Sequence, residues 1–332
     1  MTVRVGMIGA GRMANVHANC MADIPEARIV AVADILPERA QALSERTGAT
    51  AYTDYRKMLD REQLDAVYVA TPTGLHAEHA IAAAERQLPF FVEKPLALKM
   101  SDGWNVQRAA ERNGVMSFVG YQWRYTEAVA RAKEILGDRP LSVTACEWLW
   151  TIPPVAWFRI KEQGGGQVVD QSTHLTDLCQ LFGGPVREVY AAYTLNTYTD
   201  AEFHNWDGYS LTWKHKPGAV GSLHCTYALF KEIAGHAEPY VQLMARELYL
   251  RITSKGLTVI TPEGKHEYAN SKPVLHFNMN QAFITAVDRH APALIRSSVA
   301  ETLPSLALTL AANASAETGQ IVNLDQFMEA AR

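Results

Sequence analysis

The chain has 332 residues, 48% apolar and 20% charged, with a net charge of −4 and no block of like charges. That length exceeds what one hydrophobic core usually fills, so two domains are expected. The composition excludes disorder, and cations scattered through a mildly acidic chain remove the electrostatic basis for nucleic-acid binding, leaving a small molecule as the expected partner.

Cys20, Cys146, Cys179 and Cys225 lie far apart without CxxC or Cys/His spacing. Neither a metal site nor a disulfide framework is expected, and reduced thiols suit a cytoplasmic protein. The opening "MTVRVGMIGAGRM" enters an apolar strand without a basic leader or cleavage site, and no apolar run reaches membrane-spanning length. No membrane association is expected.

Apolar runs at 3–9, 28–34, 51–54, 66–71, 90–94 and 116–121 alternate with helical patterns near 13–23, 37–46, 55–60, 75–86 and 101–113. This alternation predicts a doubly wound parallel sheet over residues 1–122. Over 123–332 the texture shifts to longer β segments at 141–150, 186–195, 208–215, 219–227 and 246–253, joined by turns such as "KPGA" and "PEGK". Helical patterns fall at 126–136, 172–182, 278–290 and 299–317. The second domain is therefore α/β, on a large and mainly antiparallel sheet.

The first strand runs into "GAGRMA", which places Gly9, Gly11 and Ala14 in the dinucleotide-binding pattern, with Arg12 and Met13 on the same turn. Gly9 permits the tight turn, and Gly11 lets the backbone approach a pyrophosphate at the helix N-terminus. Asp34 ends the second strand 20 residues after Ala14, where an acid accepts hydrogen bonds from an adenosine ribose. A carboxylate there repels a 2′-phosphate, so NAD is favoured over NADP. Thr71 and Pro72 end the fourth strand and are expected along the cofactor edge, with His76 close behind. "VEKP" ends the fifth strand with Glu93, Lys94 and Pro95. A lysine facing the crevice there is partly desolvated, which suits it to proton transfer; the alternative is an ordinary ion pair with Glu93.

In "VVDQSTHLTD" a helix would turn about 100° per residue, so Asp170, His174 and Asp177 project the same way, as a solvated face or one wall of an active site. Trp123, Trp148, Trp150 and Trp157 cluster between 123 and 157 and are candidates for stacking on a sugar face, Trp157 foremost, with core or interface packing as the alternative. Gln122, Arg124, Lys161 and Gln163 are candidate partners for hydroxyls or a carboxylate.

The "GAGRMA" loop, Asp34, "ATP" at 70–72, "EKP" at 93–95, "GGGQVVDQSTHLTD" at 164–177 and "AETGQIV" at 316–322 together resemble the glucose–fructose oxidoreductase, inositol 2-dehydrogenase and MocA family, across essentially the whole chain. The resemblance implies a Rossmann domain followed by an α/β domain whose open sheet often serves oligomerisation, so a homodimer or homotetramer is expected. It also implies NAD(P)-dependent oxidation of a sugar, polyol or related hydroxyl compound, with catalytic roles on Lys94, Asp170 and His174. Two departures bear on substrate contacts: "RQLPFF" stands where the family commonly has a glycine, and "YQWRY" supplies Gln122 and Arg124 after the sixth strand.

On this reading His174, with its near-neutral imidazole, is the expected general base. Lys94 stabilises the developing alkoxide, Asp170 orients and charge-balances one of them, and Asp177 either supports the imidazole or lies on the surface. Two other readings stay open: a non-catalytic NAD or sugar sensor, and a redox-cycling lyase or glycosidase that shows no net NADH.

Overall fold

The structure is a computed structural model that describes residues 2–198, 203–271 and 275–332. It divides into two compact units, each treated by itself. One takes in residues 1–97, 101–122 and 274–302, the other residues 98–100, 123–273 and 303–332. The segment 274–302, which the sequence reading gives to the second domain, thus belongs to the first unit.

In the first unit the described strands are β1 (Val3–Ile8), β2 (Ala27–Ala33), β3 (Thr50–Tyr52), β4 (Ala66–Val69), β5 (Phe90–Val92) and β6 (Ser117–Val119). They pair in parallel in the order β3-β2-β1-β4-β5-β6. Strand order reverses between β1 and β4, and a doubly wound sheet opens its ligand crevice at the carboxyl ends beside such a switch. β4 and β5 are buried on both faces and so read as unbroken apolar runs rather than alternating ones. Tyr68 stacks on Phe91 with ring centres 4.6 Å apart, and Phe91 on Phe118 at 5.1 Å. Phe283, from the helix Leu275–Asp288, meets Tyr68 and Phe118 edge-on at 5.3 and 5.4 Å. This aromatic cover is why a late segment joins the early sheet. The chain beyond that helix follows the β6 edge, where Ser297 accepts the Val119 N–H at its carbonyl and donates its hydroxyl to the Val119 carbonyl.

The second unit holds β7 (Leu141–Leu149), β8 (Val186–Thr194), β9 (Gly208–His215), β10 (Val220–Thr226), β11 (Tyr240–Ala245), β12 (Leu248–Thr253), β13 (Gly256–Thr261), β14 (Gly264–Ala269) and β15 (Val322–Asn323). Their order is β14-β13-β12-β11-β7-β10-β9-β8-β15, antiparallel except for β7 against β10. Alternate residues point inward, among them Cys146, Leu211, Leu223, Cys225, Val241, Leu243, Leu250 and Ile252, and pack with Leu175 and Leu178 in one core. On the opposite face Tyr190, Val220 and Ile260 are more than two-fifths exposed.

One ion pair stands inside this core. Arg124 grips Asp177 in a two-pronged contact, Nε to Oδ2 at 2.8 Å and Nη2 to Oδ1 at 2.6 Å, with both side chains buried. The Ser305 hydroxyl donates to Asp177 Oδ1 at 2.6 Å. Asp177 is therefore neither a surface acid nor a support for the imidazole: the fold spends it on Arg124. Removing one partner strands a buried charge, whereas removing both does not. Asp177→Ala is expected to lower unfolding stability by about 3–5 kcal/mol, and pairing Asp177→Leu with Arg124→Met to recover most of that loss. Urea unfolding decides it: a single variant costing under about 1 kcal/mol means the pair is not an anchor.

Candidate active site

In the first unit the glycine turn leaves β1 and enters the helix Arg12–Ala22. Gly9 has φ +96°, and a Cβ there would lie 2.5 Å from the Ala70 carbonyl oxygen, so only glycine fits where β1 and β4 come closest. Over Gly11 the space is open within 4 Å, and no side chain caps the helix it precedes. Backbone N–H groups at an uncapped helix start with open space above them suit a pyrophosphate. Arg12 is exposed and Met13 half-buried on the first turn.

Asp34, at the end of β2, faces this turn. Its Oδ2 accepts the Ala10 N–H at 2.8 Å and its Oδ1 the Leu36 N–H at 2.9 Å. Two backbone donors fix the carboxylate's orientation while leaving lone pairs for further donors. Ile35, the next residue, is 82% exposed, an apolar side chain left in the open beside that acid. In the sequence Ile35 counts only as a residue other than a cation after the strand-ending acid, which favours NAD over NADP; its exposure appears only in the fold.

At the end of β4, Pro72 is exposed and Thr71 half-buried. His79 Nδ1 lies 3.1 Å from the Thr71 hydroxyl, and its ring meets Tyr55 edge-on. His76 is buried, with Nε2 2.8 Å from the Thr71 carbonyl and Nδ1 2.8 Å from the Pro95 carbonyl. Burial lowers the His76 pKa, although those two carbonyls partly oppose it. Its nitrogens staple the β4 end to the Pro95 carbonyl, one residue beyond Lys94, and the Lys94–Pro95 bond is cis. Lys94 is half-buried, directly after the buried Glu93. Gly9, Gly11, Asp34, Thr71, Pro72 and Lys94 thus all stand at carboxyl ends of strands in one parallel sheet.

In the second unit two glycines set the Asp170–His174 segment. Gly165 and Gly166 have φ +79° and +86°, and a Cβ on Gly166 would strike the Tyr209 hydroxyl. That hydroxyl donates to Asn313 Oδ1 at 3.2 Å, and Asn313 donates to the Gly165 carbonyl at 2.7 Å. Gln167, fully buried, donates to the carbonyls of Trp148 at 3.2 Å and Thr226 at 3.1 Å, seating the turn across the ends of β7 and β10. The helix is broken: Gln167–Asp170 and Thr173–Gly183 are separate pieces, and Asp170 closes the first. His174, in the first turn of the second, is buried, and its ring stacks near Trp148 with centres 6.2 Å apart. Tyr227 is fully buried; burial first, and the charge of Asp170 second, push its phenol well above its ordinary range. Gln167 and Tyr227 escape the sequence reading because an amide and a phenol acquire these roles only when β10 lies beside β7.

Gln122 and Arg124 lie on one short helical turn, Gln122–Tyr125, Gln122 half-buried and Arg124 buried. Arg124's charge is met by Asp177 inside the fold. Lys161 is likewise engaged, by Glu317 at 2.6 Å and over the Trp206 ring at 4.3 Å. Trp157 is half-buried on Ala156–Arg159, its ring centre 3.7 Å from that of Phe158. Among the described residues no helix is long and apolar enough to cross a membrane.

Residues 3–121 match the family described as "Oxidoreductase family, NAD-binding Rossmann fold", and residues 134–238 match the "GFO/IDH/MocA C-terminal domain". The chain is 32% identical over 194 residues to 2,7-anhydro-N-acetylneuraminate hydratase of Mediterraneibacter gnavus, covering 57% of this chain and 51% of that protein. It is 28% identical over 195 residues to myo-inositol 2-dehydrogenase of Thermotoga maritima, covering 57% and 58%. These matches thus span little more than half the length of either relative. Among solved structures, the WlbA dehydrogenase of Bordetella pertussis in complex with NADH and UDP-GlcNAcA superposes with a TM-score of 0.83 at 26% identity, covering 97% of this chain and 99% of that one.

The buried ring beside Thr71 gives a pH signature. Burial pulls His79 from 6.5 down to about 4, so the folded ring stays neutral where the unfolded chain takes up a proton. Since the unfolded state binds more protons between those values, stability is full above about pH 6.5 and falls as pH drops toward 4, by about 3 kcal/mol at most. His79→Gln, which keeps a donor for Thr71, is expected to flatten that part of the profile. Unfolding measured at neutral and acid pH tests this; equal losses in both proteins would show that His79 is not the titrating group.

Proposed function

We infer the activity from kinship and from the first unit's crevice: the chain belongs to the GFO/IDH/MocA oxidoreductase family, and its N-terminal unit is an NAD-binding Rossmann domain. The protein is an NAD-dependent dehydrogenase that interconverts a hydroxyl and a carbonyl on a sugar, polyol or related carbohydrate. The observation that carries this reading is the gathering of the Gly9–Gly11 turn, the Asp34 carboxylate and Lys94 along one edge of a parallel sheet. An open helix N-terminus, an oriented acid for a ribose and a cation near the reacting end are what a dinucleotide oxidoreductase needs.

The bound dinucleotide supplies the hydride acceptor. The backbone N–H groups of the uncapped helix start after Gly11, with Arg12 and Met13 on its first turn, would hold the pyrophosphate, Gly9 would shape the turn, and Asp34, already accepting the Ala10 N–H, would accept from the ribose hydroxyls. Ile35 offers its exposed face to the adenine. Thr71 and Pro72 line the remaining edge, and His76 acts through the backbone it staples. The imidazole of His174 takes the hydroxyl proton, and the Lys94 ammonium steadies the oxygen as negative charge grows on it. Asp170, with Tyr227, holds charge balance for the imidazole. Gln122 and Trp157 contact the substrate, the indole against a sugar face.

A second reading has support from the hydratase relative: hydride leaves and returns within one turnover, so the substrate gains or loses water without net NADH. The open face bearing Tyr190, Val220 and Ile260 supports a homodimer or homotetramer, and four free, buried thiols suit the cytoplasm.

Screening inositols, aldoses, anhydrosugars and sugar acids by NADH absorbance, with product analysis alongside, separates the two readings. Lys94→Met and His174→Gln are each expected to lower turnover by about 100-fold or more with NAD affinity nearly unchanged; full turnover in both would remove the assignment. Asp34→Ser is expected to narrow the preference for NAD over NADP by about tenfold or more in a binding titration. An unchanged ratio would take Asp34 out of cofactor selection.

A further inference from the structure

Next to Lys94 the fold buries a complete proton-holding couple. Glu93 is 5% exposed and His17, on the helix Arg12–Ala22, is fully buried. Glu93 Oε1 lies 2.8 Å from His17 Nε2, and Glu93 Oε2 accepts the Lys94 backbone N–H at 3.2 Å. On the far side of the ring, His17 Nδ1 lies 3.1 Å from Asn280 Oδ1. Asn280 Nδ2 donates to the His276 carbonyl at 2.8 Å, which fixes the amide with its oxygen toward the ring. His17 Nδ1 must therefore carry a hydrogen. Two lone pairs do not meet at 2.8 Å, so a second proton lies between Nε2 and Glu93.

The couple is thus neutral as a whole, whichever partner the proton is drawn on. Burial opposes charge on Glu93, but the hydrogen bond and charge of His17, with Lys94 and His276, outweigh it and hold the carboxyl below its ordinary range. Around the couple stand Lys94 on the same turn, His276 from the helix Leu275–Asp288, His76, whose charge state feels Glu93, and the Tyr68 ring, with Arg12 facing His276.

We propose that His17 is a positioning residue that cancels the charge of Glu93, so that the protonation of Lys94 is not governed by the acid beside it. An uncompensated carboxylate on the adjacent residue would hold a proton on the lysine and draw its ammonium back toward the sheet; a neutral couple keeps the carboxylate as a fixed acceptor for the Lys94 N–H without that pull. The proposal deepens the role given to Lys94 above and rests on it for its catalytic meaning.

The test needs no substrate. Competitive acetylation of the intact chain over a series of pH values, with Lys94 followed by peptide mass analysis, reads the pH at which this lysine becomes reactive. In H17Q, which keeps a donor toward Glu93 but no positive charge, the midpoint is expected to rise by about one pH unit or more. In E93Q, where both charges disappear together, it is expected to stay within about half a unit of the parent. An unmoved midpoint in H17Q, or one that falls by about a unit in E93Q, overturns the proposal, since Glu93 would then act on Lys94 directly. If H17Q does not fold, the near-isosteric E93Q decides alone. Unimpaired turnover in Lys94→Met would remove the catalytic role while leaving the labelling result to judge the couple.

Discussion

A carboxylate taken out of water must be met by hydrogen bonds and opposite charge, or it gives up its own charge. Glu93 is met on one side by the ring of His17 and on the other by the N–H of Lys94. Through this contact the first-turn helix, the end of β5 and the helix Leu275–Asp288 are locked to one another. The dinucleotide edge inherits that rigidity: the helix that presents its N-terminus to the crevice carries His17 one and a half turns further on, and His76 ties β4 to the peptide after Lys94. The helix that starts after Gly11 and Lys94 are therefore both held by buried polar contacts.

The second unit meets the same requirement with different parts. Its Asp170–His174 segment has a broken helix and two left-handed glycines, neither of which favours a fixed backbone on its own. Gln167 supplies the order by donating to carbonyls at two strand ends, while Asn313 and Tyr209 hold the glycine turn from the other side. The next helix is anchored from within by Asp177 against Arg124. A buried, hydrogen-bonded amide can fix a backbone at about 1 kcal/mol per bond, and an ion pair adds a penalty for any arrangement that separates it. These contacts explain why an imidazole and a carboxylate can be buried there without collapsing the segment.

Proteins similar to this chain are named for different molecules: a 2,7-anhydro-N-acetylneuraminate hydratase, a myo-inositol 2-dehydrogenase and a dehydrogenase crystallised with NADH and UDP-GlcNAcA. Names of that breadth fit the rule that function lives in side chains grafted on a fold and not in the fold itself. Trp157 beside Phe158, and Gln122, the substrate contacts proposed above, are each half-buried.

The alternation of apolar runs and helical patterns was enough to fix the doubly wound sheet, because each parallel strand buried on both faces leaves a short continuous apolar run. The glycine turn and the place of Asp34 at the end of β2 were equally legible, since both depend on local spacing along the chain. The second sheet was less legible: β11, β13, β14 and the two-residue β15 lie outside the expected strands, and β14 is mostly exposed and short on apolar alternation. Tertiary structure alone decided what the buried polar residues do. Asp177 looks the same in sequence whether it faces solvent or Arg124, and His17 sits in an ordinary helix until Glu93 and Asn280, 76 and 263 residues away, close around its ring. Local periodicity reports which face is buried, but the partner of a buried charge is set by contacts across the chain, and those exist only once the fold has formed.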